Sequence, residues 1–130
     1  MKRLSLQTNA RTDFREITAA VQDAAAGLGV RDGVVTVFVP HTTAGITINE
    51  HADPDVMRDV GHALDRLVPW RDPAYRHAEG NSAAHVKSIL VGSSVRVPVV
   101  GGRLQLGTWQ GIFFCEFDGP RTREVWVVAG

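Results

Sequence analysis

VRVPVVGGRLQLGTWQGIFFCEFDGPRTREVWVV, Val95 to Val128, decides the fold class. Val95, Val97 and Val99 keep the two-residue period of a strand with one buried face. Gly101-Gly102 supplies a hairpin turn, and Leu104 and Leu106 resume the alternation beyond it. Ile112 to Phe117 and Val125 to Val128 are two further apolar runs, separated by the turn signal Asp118-Gly119-Pro120. A C-terminal half written as strands joined by short turns predicts an antiparallel sheet.

The N-terminal half adds helices. Leu4 and Leu6 read as a first strand. Asp13 looks like a helix cap, with Glu16 three residues on in capping-box spacing. Ile17, Val21, Ala24, Ala25 and Leu28 then recur at helical intervals, which predicts a helix over residues 13 to 28. GVVTVFVP from Gly33 to Pro40 and the alternating pair Ile46 and Ile48 predict two strands that bracket His41. Asp53-Pro54 is a cap and first-turn pair for a second helix, whose apolar face is Val56, Val60, Leu64 and Leu67. Pro69 to Asn81 has no period and reads as a long loop; Asn81 or Ser82 then caps a short helix through Leu90, ended by Gly92. The expectation is an α+β fold: one domain over residues 1 to 130, with a largely antiparallel sheet or sandwich core and two or three helices.

Composition narrows the function classes. Fourteen basic residues balance 14 acidic ones, and no basic stretch is interleaved with aromatics, so nucleic acid is not an expected partner. No uncharged apolar stretch approaches membrane-spanning length and the N-terminus lacks the apolar core of a signal peptide, so no membrane role is expected. The single cysteine, Cys115, cannot form an internal disulfide, which fits a reducing, cytoplasmic setting; inside its apolar run it reads as a buried thiol.

Five histidines remain, and three sit in polar surroundings. His41 opens HTTAG where a strand enters a turn, with Thr42 and Thr43 beside it; the alternative is a surface histidine next to two turn-forming threonines. His77 and His85 lie in HAEGNSAAH with Glu79 and Asn81, where a loop bends into a helix and can bring two imidazoles together. Three neutral imidazoles leave open positions on a divalent ion, the arrangement that catalysis needs. Glu50 and Glu79 are the candidate bases for a metal-bound water. His51 and His62 are weaker candidates, His62 being surrounded by charge on the second helix. In LGTWQG, Thr108 and Gln110 offer hydrogen bonds and Trp109 a stacking face; the alternative is a structural hairpin with Trp109 in the core. Arg121, just after the turn, either binds an anion or pairs with Glu116 or Asp118.

Three blocks, PHTTAGITINEHADPDV from Pro40, HAEGNSAAHVKSILVGSSVRVPV from His77 and GGRLQLGTWQGIFFCEFDGPR from Gly101, resemble the signature segments of the YjbQ family of secondary thiamine-phosphate synthases, in the same order. The resemblance implies a homotrimer with a histidine-lined, metal-associated pocket. It also implies a reaction that joins a pyrimidine methyl diphosphate to a thiazole phosphate and releases pyrophosphate. The family pattern falls on His41, Asn49, Glu50, His77, Glu79, Asn81, His85, Thr108, Trp109, Gln110 and Arg121. For a small phosphorylated metabolite, Lys87, Arg121, Thr42 and Thr43 are the expected phosphate contacts and Trp109 the ring contact. The expected cofactor is a divalent metal, zinc, manganese or magnesium; three histidines suit zinc, manganese, nickel or iron better than magnesium. A metal-assisted hydrolase and a non-catalytic metal- or metabolite-binding trimer are the alternatives.

Overall fold

The computed structural model describes residues 1–130. In chain order the elements are β1 (Lys2–Gln7), β2 (Asp13–Glu16), α1 (Thr18–Gly27), β3 (Gly33–Phe38), β4 (Ala44–Glu50), α2 (Pro54–Leu67), α3 (Ser82–Val91), β5 (Ser94–Val100), β6 (Arg103–Leu104), β7 (Gln110–Glu116) and β8 (Thr122–Ala129). They form two sheets, ordered β1-β8-β3-β5-β6 and β2-β7-β4. Every pairing is antiparallel, so the α+β expectation holds and no parallel crossover uses the helices.

The main core fills the space between the sheets. Val35, Val37, Val97, Val99, Val125 and Val127 of the larger sheet meet Ile46, Ile112 and Phe114 of the smaller one, and α1 adds Val21, Ala24 and Ala25. A second cluster on the far face of β7 joins Phe113, Cys115 and Phe117 to Met57 of α2 and Ala84 of α3. β7 is thus buried on both faces, which is why its sequence is continuously apolar instead of alternating. Burial pushes the Cys115 thiol up to about 12, as befits an inert structural group.

Local chemistry explains the elements read correctly. The Asp53 side chain accepts a hydrogen bond from the Asp55 N–H at 3.0 Å, with Pro54 in the first turn of α2. Gly101 and Gly102 have positive φ and turn β5 into β6. The predicted helix over 13 to 28 is corrected at its start. Asp13–Glu16 pairs with β7 from Asp13 opposite Glu116 to Glu16 opposite Phe113, and helix begins only at Thr18. The free edge of β7 and the packing of Phe14 edge-on to Phe117 outweigh the capping-box spacing. Glu16 instead accepts from the Thr18 hydroxyl, and Asp13 from the Asn9 N–H.

α3 lies against the outer edge of β4. Ile46 N–H donates to the Gly92 carbonyl at 3.0 Å, and the Ser88 hydroxyl donates to the Ala44 carbonyl at 2.7 Å. Gly45 permits this approach, since a Cβ there would lie 2.7 Å from the Gly92 oxygen. The contact places the N-terminal half of α3 beside the β3–β4 connection.

Candidate functional site

That connection carries His41, Thr42 and Thr43, and the chain reaching α3 carries His77, Glu79 and Asn81. Together with His85 of α3 and Asp118, Arg121 and Arg123 they line a cavity of about 460 Å³ with no hydrophobic residue in its wall. The three predicted histidines therefore share one cavity. His77 and His85 stand edge to face, ring centres 5.4 Å apart, and His77 lies 4.0 Å from Glu79. His41 faces differently: its Nε2 accepts the Glu124 backbone N–H at 2.9 Å. Burial, and then the Arg123 charge, hold its imidazole below the ordinary histidine range. The expected convergence of three ring nitrogens is accordingly not formed: no three His, Cys, Asp or Glu side chains make a ready metal shell.

The cavity floor is an ion pair that sequence reasoning passed over. Glu116, fully buried, accepts from Arg123 through Nε at 2.8 Å and Nη2 at 2.5 Å, from the Thr8 hydroxyl at 2.8 Å and from the Asp118 N–H at 3.0 Å. Arg123 also donates to the Thr43 hydroxyl at 2.8 Å, and none of these bonds uses its Nη1. The signal was present: Arg123, Val125 and Val127 share one strand face, so an arginine on the face of two buried valines needs a buried partner. Burial raises the Glu116 pKa, but the hydrogen bonds from Arg123, Asp118 and Thr8 outweigh it and hold the carboxyl below its usual range.

Arg121 makes the expected pair with Asp118 and also lines the cavity. Its Nε donates to the Asp118 carbonyl at 2.9 Å and its Nη2 to the Asp118 carboxylate at 3.1 Å, yet half of the side chain stays exposed at the cavity. Asp118 also accepts from Asn81 Nδ2 at 2.8 Å. Because a carboxylate only accepts, the Asn81 amide orientation is settled, and its buried Oδ1 is left without a partner.

Lys87 is a correction. It is 3% exposed, lies outside the cavity lining and pairs with Asp65 of α2, because its position on α3 faces the helix pair. Asn49, Glu50, Thr108, Trp109 and Gln110 also fall elsewhere in the chain. Ala44 pairs with Glu116 at the cavity end of β4 and Glu50 with Gln110 at the other, so a strand length of roughly 20 Å separates the two groups. There Gln110 Oε1 accepts the Gly107 N–H at 2.8 Å, Glu50 accepts the Asp53 N–H at 3.2 Å, and Asn49 Oδ1 accepts the Glu50 N–H at 2.7 Å. Trp109 is not in the core; it is 64% exposed. His51 pairs with Glu16 at 3.0 Å at this end, and that hydrogen bond raises its pKa.

The profile of the family described as "UPF0047 protein YjbQ-like" matches residues 2–129. The chain belongs to the YjbQ/UPF0047 family. It is 50% identical to the UPF0047 protein YugU of Bacillus subtilis over 98% of this chain and 96% of that protein. UPF0047 protein MJ1081 of Methanocaldococcus jannaschii is also 50% identical, over 94% of this chain and 88% of its own. Among solved YjbQ/UPF0047 structures, an uncharacterized member from Clostridium acetobutylicum is 52% identical, with a TM-score of 0.97 and full coverage of both chains. A YbjQ-like protein of unknown function from Sulfolobus solfataricus is 30% identical with a TM-score of 0.93, covering 98% of this chain and 94% of that one. The YjbQ fold thus persists as identity falls. No helix of the chain is long and apolar enough to cross a membrane.

Proposed function

We propose that the cavity is the active site of a metal-assisted enzyme acting on a small phosphorylated metabolite. The reaction we put first is the thiamine-phosphate synthesis that the family resemblance implies. The observation that carries the reading is a wall holding three imidazoles and two guanidiniums with no hydrophobic residue, suited to a diphosphate and ill suited to an apolar ligand. A divalent ion would draw on two of these imidazoles. With metal–nitrogen distances of about 2.0–2.1 Å, two imidazoles on a tetrahedral ion have ring centres about 5 Å apart, close to the spacing of His77 and His85. The Glu79 carboxylate, 4.0 Å from the His77 ring nitrogen, is an oxygen donor beside them. His77 and His85 would hold the ion, and a mixed nitrogen and oxygen set favours zinc or manganese over magnesium. When bound, the ion supplies positive charge to a leaving diphosphate.

The chain's own groups do the rest. The Nε side of Arg121 is held by Asp118, which leaves Nη1 for a phosphoryl group; Thr42 and Thr43 border the same space. His77 also lines a neighbouring hollow of about 330 Å³ with Trp70 and Tyr75, which offers heterocyclic rings the flat surface that the polar cavity lacks. Hydrolysis is the second reading. It is favoured by Glu79, a 73% exposed carboxylate beside His77 that is free to activate water.

Metal-defined protein incubated with both thiamine precursors should form product and pyrophosphate in equal amounts. Turnover of a phosphate ester with no second substrate would replace synthesis by hydrolysis, and silence in both with ligand bound leaves the non-catalytic alternative. Arg121→Lys is expected to weaken pyrophosphate binding by roughly 1 to 3 kcal/mol through the lost charge-assisted bonds. Its melting temperature should hardly change, because a half-exposed pair contributes little. Unchanged affinity by calorimetric titration removes Arg121 from the site.

The homotrimer is proposed to form through α3. β7 has a strand on each side and β8 lies between β1 and β3, so neither of these two strands has a free edge. The exposed apolar side chains Val86, Ile89 and Leu90 lie instead on α3, with Ile89 81% exposed. Light scattering should give three times the 14.1 kDa chain mass. Ile89→Glu should lower it towards one, and a single-chain mass for the unaltered protein rejects the trimer.

A further inference from the structure

We infer that His41 is fixed as the tautomer protonated at Nδ1 and offers that N–H to a phosphoryl oxygen of the ligand, acting as a hydrogen-bond donor and not as a metal ligand. The tautomer follows from the backbone. β3 leaves its ladder with β8 at Phe38 opposite Trp126, because Pro40 follows two residues later with no N–H to continue it. The Glu124 N–H, two residues before Trp126, would be left without a strand partner, and His41 Nε2 fills the gap at 2.9 Å. A nitrogen that accepts an N–H carries no proton and has no lone pair to spare. In a neutral imidazole the one proton is then on Nδ1. A metal at Nε2 would orphan Glu124, and a metal at Nδ1 would have to remove that proton.

The surroundings favour the neutral ring. Burial is the larger bias and the nearby Arg123 charge adds to it, partly offset by Glu116 and Glu124. The cavity in which His41 lies also presents Arg121 and the unused Nη1 of Arg123, so an oxyanion meets charged donors and one neutral donor together. A neutral N–H stabilises negative charge without giving up its proton, a role distinct from that of His77 and His85. The donor role rests on the phosphorylated-metabolite reading above; the tautomer does not.

Long-range proton–nitrogen spectra of the metal-free protein, with His41→Asn to assign the signals, test both parts. The expected result is a protonated Nδ1 and an unprotonated Nε2 at neutral pH. Inorganic pyrophosphate should shift the Nδ1–H signal, and zinc should move the ring nitrogens of His77 and His85 while His41 keeps its tautomer. His41→Ala should keep zinc affinity within about twofold and lose pyrophosphate affinity about tenfold, the worth of one hydrogen bond to a charged group. A proton on Nε2, or a zinc loss in His41→Ala equal to that in His77→Ala, overturns the inference. Pyrophosphate that binds without moving His41 overturns its donor role alone. A cavity that answers neither probe sinks the functional reading and the donor role with it, while the tautomer is still judged on the ligand-free spectra.

Discussion

Arg123→Ala is expected to destabilise the protein by roughly 3 to 5 kcal/mol, the cost of leaving a buried charge without its partner. Glu116 has no exposed surface, and two of its four hydrogen bonds come from Arg123. Urea unfolding measures the loss directly. The double variant Arg123→Met with Glu116→Gln should recover a large part of it, because removing both charges also removes the desolvation penalty. The pH dependence supplies a second test. The folded Glu116 carboxyl titrates below the unfolded one, so its contribution is fully present above the usual carboxylate range and is lost as pH falls through the folded value. Without Arg123, burial raises the carboxyl against the Asp118 and Thr8 hydrogen bonds alone, so the variant's loss of stability in acid should shrink or reverse. A loss under about 1 kcal/mol, or an acid profile like that of the unaltered protein, would show that the pair does not hold the floor together.

His77→Ala and His85→Ala should each lower zinc affinity by more than the 10- to 100-fold that loss of a supporting partner typically costs, since each removes a ligand outright. Competition against a chelating dye gives the value. The two rings stand 5.4 Å apart on different segments, one on irregular chain and one on α3, so neither can replace the other. The metal-free proteins should melt close to the unaltered one, because the His77 side chain is 45% exposed and no hydrogen bond in the fold depends on it. Added zinc should raise the melting temperature of the unaltered protein and leave both variants where they were. Retained zinc affinity in either variant removes that histidine from the ion.

How far these features were legible follows from how local their causes are. α2 was readable because Asp53 and Pro54 act within one turn. β7 was readable as a strand, and its unbroken run from Ile112 to Phe117 gains its reason only from two packing faces, one on the opposite sheet and one on the helices. β2 was missed because Asp13 and Glu16 satisfy a capping rule in sequence while a strand a hundred residues away claims their backbone. At the site, histidines beside turns and loops were visible as such. The direction of β4 was not: seven residues of strand carry Asn49 and Glu50 away from His41 although one motif contains them all. Lys87 failed for the same reason, since spacing along α3 does not say which side of the helix meets α2.

The seating of α3 on β4 has a consequence for how copies of the chain can meet. β4 ends its sheet, and an end strand with free amides and carbonyls is a template on which another chain can polymerise. Here a helix occupies that template, taking the Ile46 amide on the Gly92 carbonyl and the Ala44 carbonyl on the Ser88 hydroxyl. At the far end of the larger sheet β6 is only two residues long and covers β5 at Val99 and Val100 alone. Growth by a shared backbone ladder is therefore blocked where α3 sits on β4, and self-association at that edge is restricted to side chains meeting side chains.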